Sequence, residues 1–215
     1  MRESNKSFND VINAIDVLAS NQRELTWDVI TCVNKRNIAH IEVLKQLLID
    51  HKVKRWKIFT VFPMGRAETN PDMDLDKEEF IMLMNFISKA RKEAALKVSY
   101  GCESFLGPFE YEVRENQYFC AAGVNVASIR FDGSISGCLS IRSDYNEGNI
   151  LKNSFVDTWN NGFHRYRSSQ WKKTGVCESC EVWRWCQGNG MHLRDEKGNL
   201  KQCNYQKIFH NTNNN

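Results

Sequence analysis

Hydrophobic positions recur at helical spacing in three stretches of the first hundred residues. Over 7–20 they are Phe8, Val11, Ile12, Ile15 and Leu18, with Ser7 placed as an N-cap. Over 37–50, Ile38, Ile41, Leu44, Leu47 and Leu48 share one face, and over 76–94 Phe80, Leu83, Met84 and Ile87 do the same. Between the helices, 25–33 (LTWDVITCV) and 54–62 (KRWKIFTVF) are β-branched and apolar, and the second run stops at Pro63 and Gly65. Both read as buried strands. Strand, crossover helix, strand predicts a parallel pair joined by a right-handed connection. Two strands are few for a parallel sheet, which is ordinarily covered on both faces. The pattern therefore predicts part of a larger α/β sheet.

Past residue 100 the pattern changes. YEVRENQYF (111–119) and NVASIRFDGSISGCL (125–139) read as short strands, with Asp132-Gly133 as a hairpin turn. Irregular cysteine-rich sequence follows residue 175, and the terminal HNTNNN is a polar tail expected to be disordered. The expected organisation is an α/β segment over 1–100, a small cysteine-rich α+β domain over 101–210 and a tail over 211–215.

Composition narrows the function classes. A chain with 26% charged and 41% hydrophobic residues is an ordinary globular one. A net charge of +3, with no basic run interleaved with aromatics, argues against a nucleic-acid face. The first residues, MRESNKSFNDVINAID, have mixed charge and lack the apolar core of a signal peptide, and no apolar run reaches membrane-spanning length. Eight cysteines without an export signal point to a reducing cytoplasm, where thiols stay available for metal.

The spacing of those cysteines is the most specific feature. Cys120 leads through Gly133 to Cys138 as C-x12-G-x4-C; Cys177, Cys180 and Cys186 form C-x2-C-x5-C; Cys203 closes the series. Thiolates so grouped are metal ligands before anything else. Few histidines lie nearby and there is a single C-x2-C knuckle, which leans towards an iron–sulfur cluster over zinc. A zinc-stabilised four-cysteine binding module without catalytic activity is the alternative. Cys32, inside a strand, is expected to be packed. Trp183 and Trp185 lie between candidate ligands and are expected to shield them from water. Arg66 follows the second strand at its carboxyl end, where α/β sites form, placed either to meet an anionic group or to form a plain salt bridge.

On this cysteine pattern, residues 118–203 resemble the SPASM domain of radical S-adenosylmethionine enzymes. Upstream, VITCVNKRN and FTVFPMGRAETN resemble the last two strands of that family's partial (βα)6 barrel. VSYGCESFLGPFEYEVR and GMHLR resemble a subgroup encoded beside a small lipoprotein. The resemblance implies an auxiliary [4Fe–4S] cluster on Cys177, Cys180, Cys186 and Cys203, a complete set. It implies a second cluster on Cys120 and Cys138, whose other usual ligands are missing, one position being Gly190. Cys102 is the spare thiol that could serve there, with His192 as a neighbouring group; a small packed residue at a strand end is the other reading of Cys102. Arg66 would lie on the S-adenosylmethionine side of the barrel. The implied activity is that of a maturase modifying a peptide or protein side chain. An electron donor such as a flavodoxin or ferredoxin would serve it, and S-adenosylmethionine would be bound by the full-length parent. The family's C-x3-C-x2-C motif is absent. The expectation is thus a C-terminal portion, lacking the first four barrel strands and not cleaving S-adenosylmethionine alone.

Overall fold

Three short strands lie parallel in the order β1-β2-β3: β1 (Val29–Val33), β2 (Arg55–Thr60) and β3 (Lys97–Tyr100). The computed structural model describes residues 6–21, 25–62, 64–101 and 103–210. The first two strands are the expected pair, with Val29 opposite Trp56 and Val33 opposite Thr60. The expectation of two strands missed β3, only four residues long, which pairs with β2 as Trp56 with Val98 and Ile58 with Tyr100. The fold is α/β.

Connections are helical: α1 (Ser7–Ser20) precedes β1, α2 (Ile41–Asp50) crosses from β1 to β2, and α3 (Lys77–Ala90) from β2 to β3. The start of α3 is set chemically. Asp76 accepts the Glu79 backbone N–H, and the Glu79 carboxylate accepts that of Asp76, a reciprocal capping box. At α1 the expected Ser7 cap is not made; Ser7 is already helical and Lys6 precedes it without a side-chain cap bond.

The period of two along β2 buries Trp56, Ile58 and Thr60 on one face. There Trp56 meets Phe86 of α3 edge-on at 6.0 Å and donates its indole N–H to Thr31 Oγ1 at 2.9 Å. Tyr100 meets Phe80 at 6.2 Å, and its hydroxyl bonds that of Thr60 at 2.9 Å. The other face is not covered in the same way: Ile30 is 59% exposed, Cys32 is exposed, and Lys57 and Phe59 are half-buried. The expectation that Cys32 is packed is therefore corrected. Likewise only Ile15 of the predicted α1 face is buried, while Phe8 and Val11 are exposed.

The chain divides into two compact units. The first comprises Met1–Gly101 and Pro108–Asn116, the second Cys102–Gly107 and Gln117–Asn215. In the first unit, Glu110–Val113 forms a helical turn, α4, where a strand was expected over 111–119. No helix among the described residues is long and apolar enough to cross a membrane.

The second unit is built from small pieces. Strands β4 (Ser128–Ile129), β5 (Ser134–Ser136) and β6 (Gly148–Asn149) pair antiparallel in that order. The predicted Asp-Gly turn joins the first two: Gly133 takes a left-handed φ of 81°, and the Asp132 carboxylate accepts the Ser134 N–H at 3.0 Å. Short helices α5 (Phe155–Asn161), α6 (His164–Arg167), α7 (Trp183–Cys186) and α8 (Asn204–Phe209) complete it. One core joins Ala122, Ile135, Ile141, Tyr145, Phe163, Tyr166 and Met191; a smaller one joins Phe105, Tyr118 and Tyr205. With so little regular secondary structure, position depends on side-chain contacts to backbone.

Candidate metal centre

Six of the cysteines singled out lie in the second unit as free thiols: Cys120, Cys138, Cys177, Cys180, Cys186 and Cys203. Cys102 lies outside the described residues. Cys177 ends a 3₁₀ turn, Gly175–Cys177, that begins at a left-handed glycine. Cys186 ends α7, where the chain turns through left-handed Gln187, Gly188 and Asn189. Cys203 precedes α8. These three thiols thus each lie at an end of a short helical element.

Asn189 joins two of them. Its φ is 60°, a region that asparagine enters more readily than most residues. Its Oδ1 accepts the Phe105 backbone N–H at 3.0 Å and the Cys186 thiol at 3.3 Å, while its amide N–H points to Cys203 Sγ at 3.7 Å. Cys186 and Cys203 also pack against one aromatic cluster, that of Phe105, Tyr118 and Tyr205, as does Cys120. Cys177 is met by Arg194, whose guanidinium lies 4.0 Å from the sulfur and donates to the Gly188 carbonyl at 2.7 Å. Neither Asn189 nor Arg194 stood out in the sequence, since their roles follow from turns that cysteine spacing does not specify.

Burial sets the electrostatics. It pushes the Cys186 thiol up to about 12, and raises those of Cys177 and Cys203, against the lowering pull of nearby N–H donors and of Arg194. Each of these three also has other thiols of the set within electrostatic reach, Cys203 sensing Cys177 and Cys180. Among the described residues, no three His, Cys, Asp or Glu side chains close on one point as a single ion would require. Zinc with Zn–S bonds of about 2.3 Å draws its sulfurs to within roughly 4 Å of one another. Here Cys186 and Cys203 are linked through Asn189, while Cys177 acts electrostatically on both and Cys180 on Cys203. The donor set itself, sulfur with N–H donors and cations around it, suits thiolate ligands of a cluster.

Cys120 and Cys186 also face a cavity of about 210 Å³, lined further by Tyr118, Lys172, Trp185 and Asn189. Trp185 stands half-exposed at this cavity, and Trp183 packs within reach of Lys173. Cys138 belongs with Cys120 to the larger core.

Residues 120–181 match SPASM, an iron–sulfur cluster-binding domain.

The SPASM match covers the first four cysteines of the series, Cys120, Cys138, Cys177 and Cys180, and Cys186 and Cys203 follow it in the chain. The structure of Streptococcus suis SuiB bound to S-adenosylmethionine is similar to this fold over 82% of the present chain, with a TM-score of 0.59 and 17% identity. The chain spans 43% of that structure's length. No curated protein matches the chain.

Two positions bear on a second cluster. At Gly190 an added Cβ would lie 2.6 Å from His192 Cε1 and 2.8 Å from Tyr118 Oη, so these rings fill the space that a side chain at 190 would need. His192 is half-buried, and burial holds its imidazole down at about 4, neutral at pH 7. Arg66 lies in the first unit, exposed in a 3₁₀ turn just past the carboxyl end of β2, and makes no ion pair among the described residues.

Proposed function

We propose that this chain is the C-terminal portion of a radical S-adenosylmethionine maturase that modifies a peptide or protein side chain, and that its SPASM segment holds an auxiliary iron–sulfur cluster. One observation carries the reading: the SPASM match takes in Cys120, Cys138, Cys177 and Cys180, and the second unit sets Arg194 at Cys177 and Asn189 at Cys186 and Cys203, which continue the same cysteine series. Cys177, Cys180, Cys186 and Cys203 would be the ligands of a [4Fe–4S] cluster; Cys120 and Cys138, with Cys102, those of a second. Such clusters, when bound, accept or pass single electrons or anchor a substrate group. The protein supplies N–H donors to sulfur, an aromatic wall of Phe105, Tyr118 and Tyr205, and cations that offset thiolate charge.

The likeness of the parallel three-stranded unit to SuiB supports assigning it to the barrel side, with Arg66 facing an anionic portion of S-adenosylmethionine. The remaining partners in this reading are a peptide or small protein substrate such as a lipoprotein and a flavodoxin or ferredoxin donor, in a cytoplasmic setting that keeps the thiols reduced.

Anaerobic reconstitution with iron and sulfide tests the proposal. The expected product is brown, with broad visible absorbance and about four irons per cluster. A colourless protein that takes up one zinc instead would replace the reading with the structural zinc module.

A further inference from the structure

Lys172 ends the 3₁₀ turn Gln170–Lys172 and is only 5% exposed. Among the described residues it pairs with no carboxylate, and its ammonium reaches one acceptor, the Asn189 carbonyl, at a long 3.5 Å. A buried ammonium so poorly paired is costly unless a negative partner is supplied. The groups that can carry negative charge around it are thiols: Cys120 first, then Cys186 and Cys177. Lys172 lines the same cavity as Cys120 and Cys186. A second buried cation is Arg194, 1% exposed, whose guanidinium touches the Lys172 carbonyl and the Cys177 sulfur. Two buried cations therefore face a group of cysteines, and among the described residues neither pairs with an acidic side chain.

We infer that Lys172 is the built-in counter-charge of the thiolate centre, a positioning residue that sets the reduction potential of the cluster the cysteines hold. The inference rests on the iron–sulfur reading above. Each electron gained adds negative charge at the thiolates without moving a proton, and a fixed positive charge beside them favours the reduced form. In a buried setting that attraction is weakly screened. A lysine needed only for packing would leave the potential where a neutral side chain of like length puts it.

The test is redox titration with dithionite of the full reconstituted chain, following the reduced-cluster resonance that Cys203→Ser abolishes. In Lys172→Met the equilibrium for reduction should fall about tenfold, a midpoint lowered by roughly 59 mV for one electron. Lys172→Arg should restore it, and Lys173→Met, at an exposed neighbour, should leave it unmoved. An unchanged midpoint in a loaded Lys172→Met protein overturns the inference. If Lys172→Met does not load, loading by Lys172→Arg supports the counter-charge, and failure of both overturns it, because shape rather than charge is then required. A parent chain that takes up no iron overturns the inference together with the reading beneath it; a loaded parent with an unmoved potential overturns the role of Lys172 alone.

Discussion

The Asn189 amide nitrogen points at Cys203 Sγ from 3.7 Å while the oxygen of the same group takes the Cys186 thiol at 3.3 Å. One buried side chain thus spans two cysteines separated by sixteen intervening residues, and it does so from a left-handed backbone. Asn189→Ala removes the span and strains the backbone; Asn189→Gly removes the span alone. Both leave the Phe105 N–H without its acceptor, and a buried donor so stranded costs about 1–3 kcal/mol. Urea denaturation should show both losses, the alanine variant being the less stable. Asn189→Asp would set a carboxylate against the two sulfurs, and iron content after reconstitution should fall.

The exposure of Cys32 gives a direct chemical check. It sits on β1 on the same side as Ile30, the side that α3 does not cover. Cys177 is buried beside Arg194. In the native apo chain, iodoacetamide should label Cys32 well ahead of Cys177, as peptide mapping would show. Equal rates would mean that Cys32 is covered after all.

Much of the first unit was legible because long periodic runs dominate it. The spacing of Ile41 and Leu48, and of Phe80, Leu83 and Ile87, is enough to place α2 and α3, and the parallel pairing of β1 with β2 follows from the crossover. Strand β3 was missed because four residues give too short an alternation to read. Cys32 was misjudged because an apolar run does not say which sheet face is covered. In the second unit, cysteine spacing identified the thiols but not what holds them. Asn189 and Arg194 act through left-handed turns and carbonyl contacts that leave no periodic trace. Tyr118 and His192 likewise explain the glycine at 190 only once their rings are placed.

That crowding at Gly190 makes a coupled prediction. Gly190→Ala pushes a methyl against His192 and Tyr118 and should destabilise by about 1–3 kcal/mol, the usual cost of overpacking. Part of that loss should return in Gly190→Ala with His192→Ala, since the offending ring is gone, and a double-mutant cycle would measure the coupling. Strict additivity would show that the ring yields freely.

The same histidine sets a pH dependence. Burial holds its folded-state value at about 4, below the unfolded value near 6.5. The unfolded chain therefore binds the proton first, and the contribution of the neutral ring is present above pH 6.5 and is lost as the pH falls towards 4. Urea midpoints measured between pH 7.5 and 5 should drop more steeply in the parent than in His192→Gln. Parallel slopes would place the proton elsewhere.

Tyr166 ties the loops that carry Cys120 and Cys138. Its side chain fills the space above two glycines, so that a Cβ at Gly123 would lie 2.4 Å from the Tyr166 Cβ and one at Gly137 2.4 Å from its ring. Its hydroxyl donates to the Tyr145 carbonyl at 2.6 Å and accepts the Gly137 N–H at 3.4 Å. Gly137 adjoins Cys138, and Gly123 lies three residues beyond Cys120. Tyr166→Phe keeps the ring and removes the hydroxyl, leaving the Tyr145 carbonyl and the Gly137 N–H without it, so the second unit should lose about 1–3 kcal/mol. Gly137→Ala keeps the hydroxyl and forces the ring away, which moves the backbone next to Cys138. If Cys120 and Cys138 share a cluster, Gly137→Ala should lower iron content by that cluster's share, while Tyr166→Phe lowers stability with iron content near that of the parent. Iron content unchanged in Gly137→Ala, with a normal unfolding transition, would mean that the two loops are not held together for a metal.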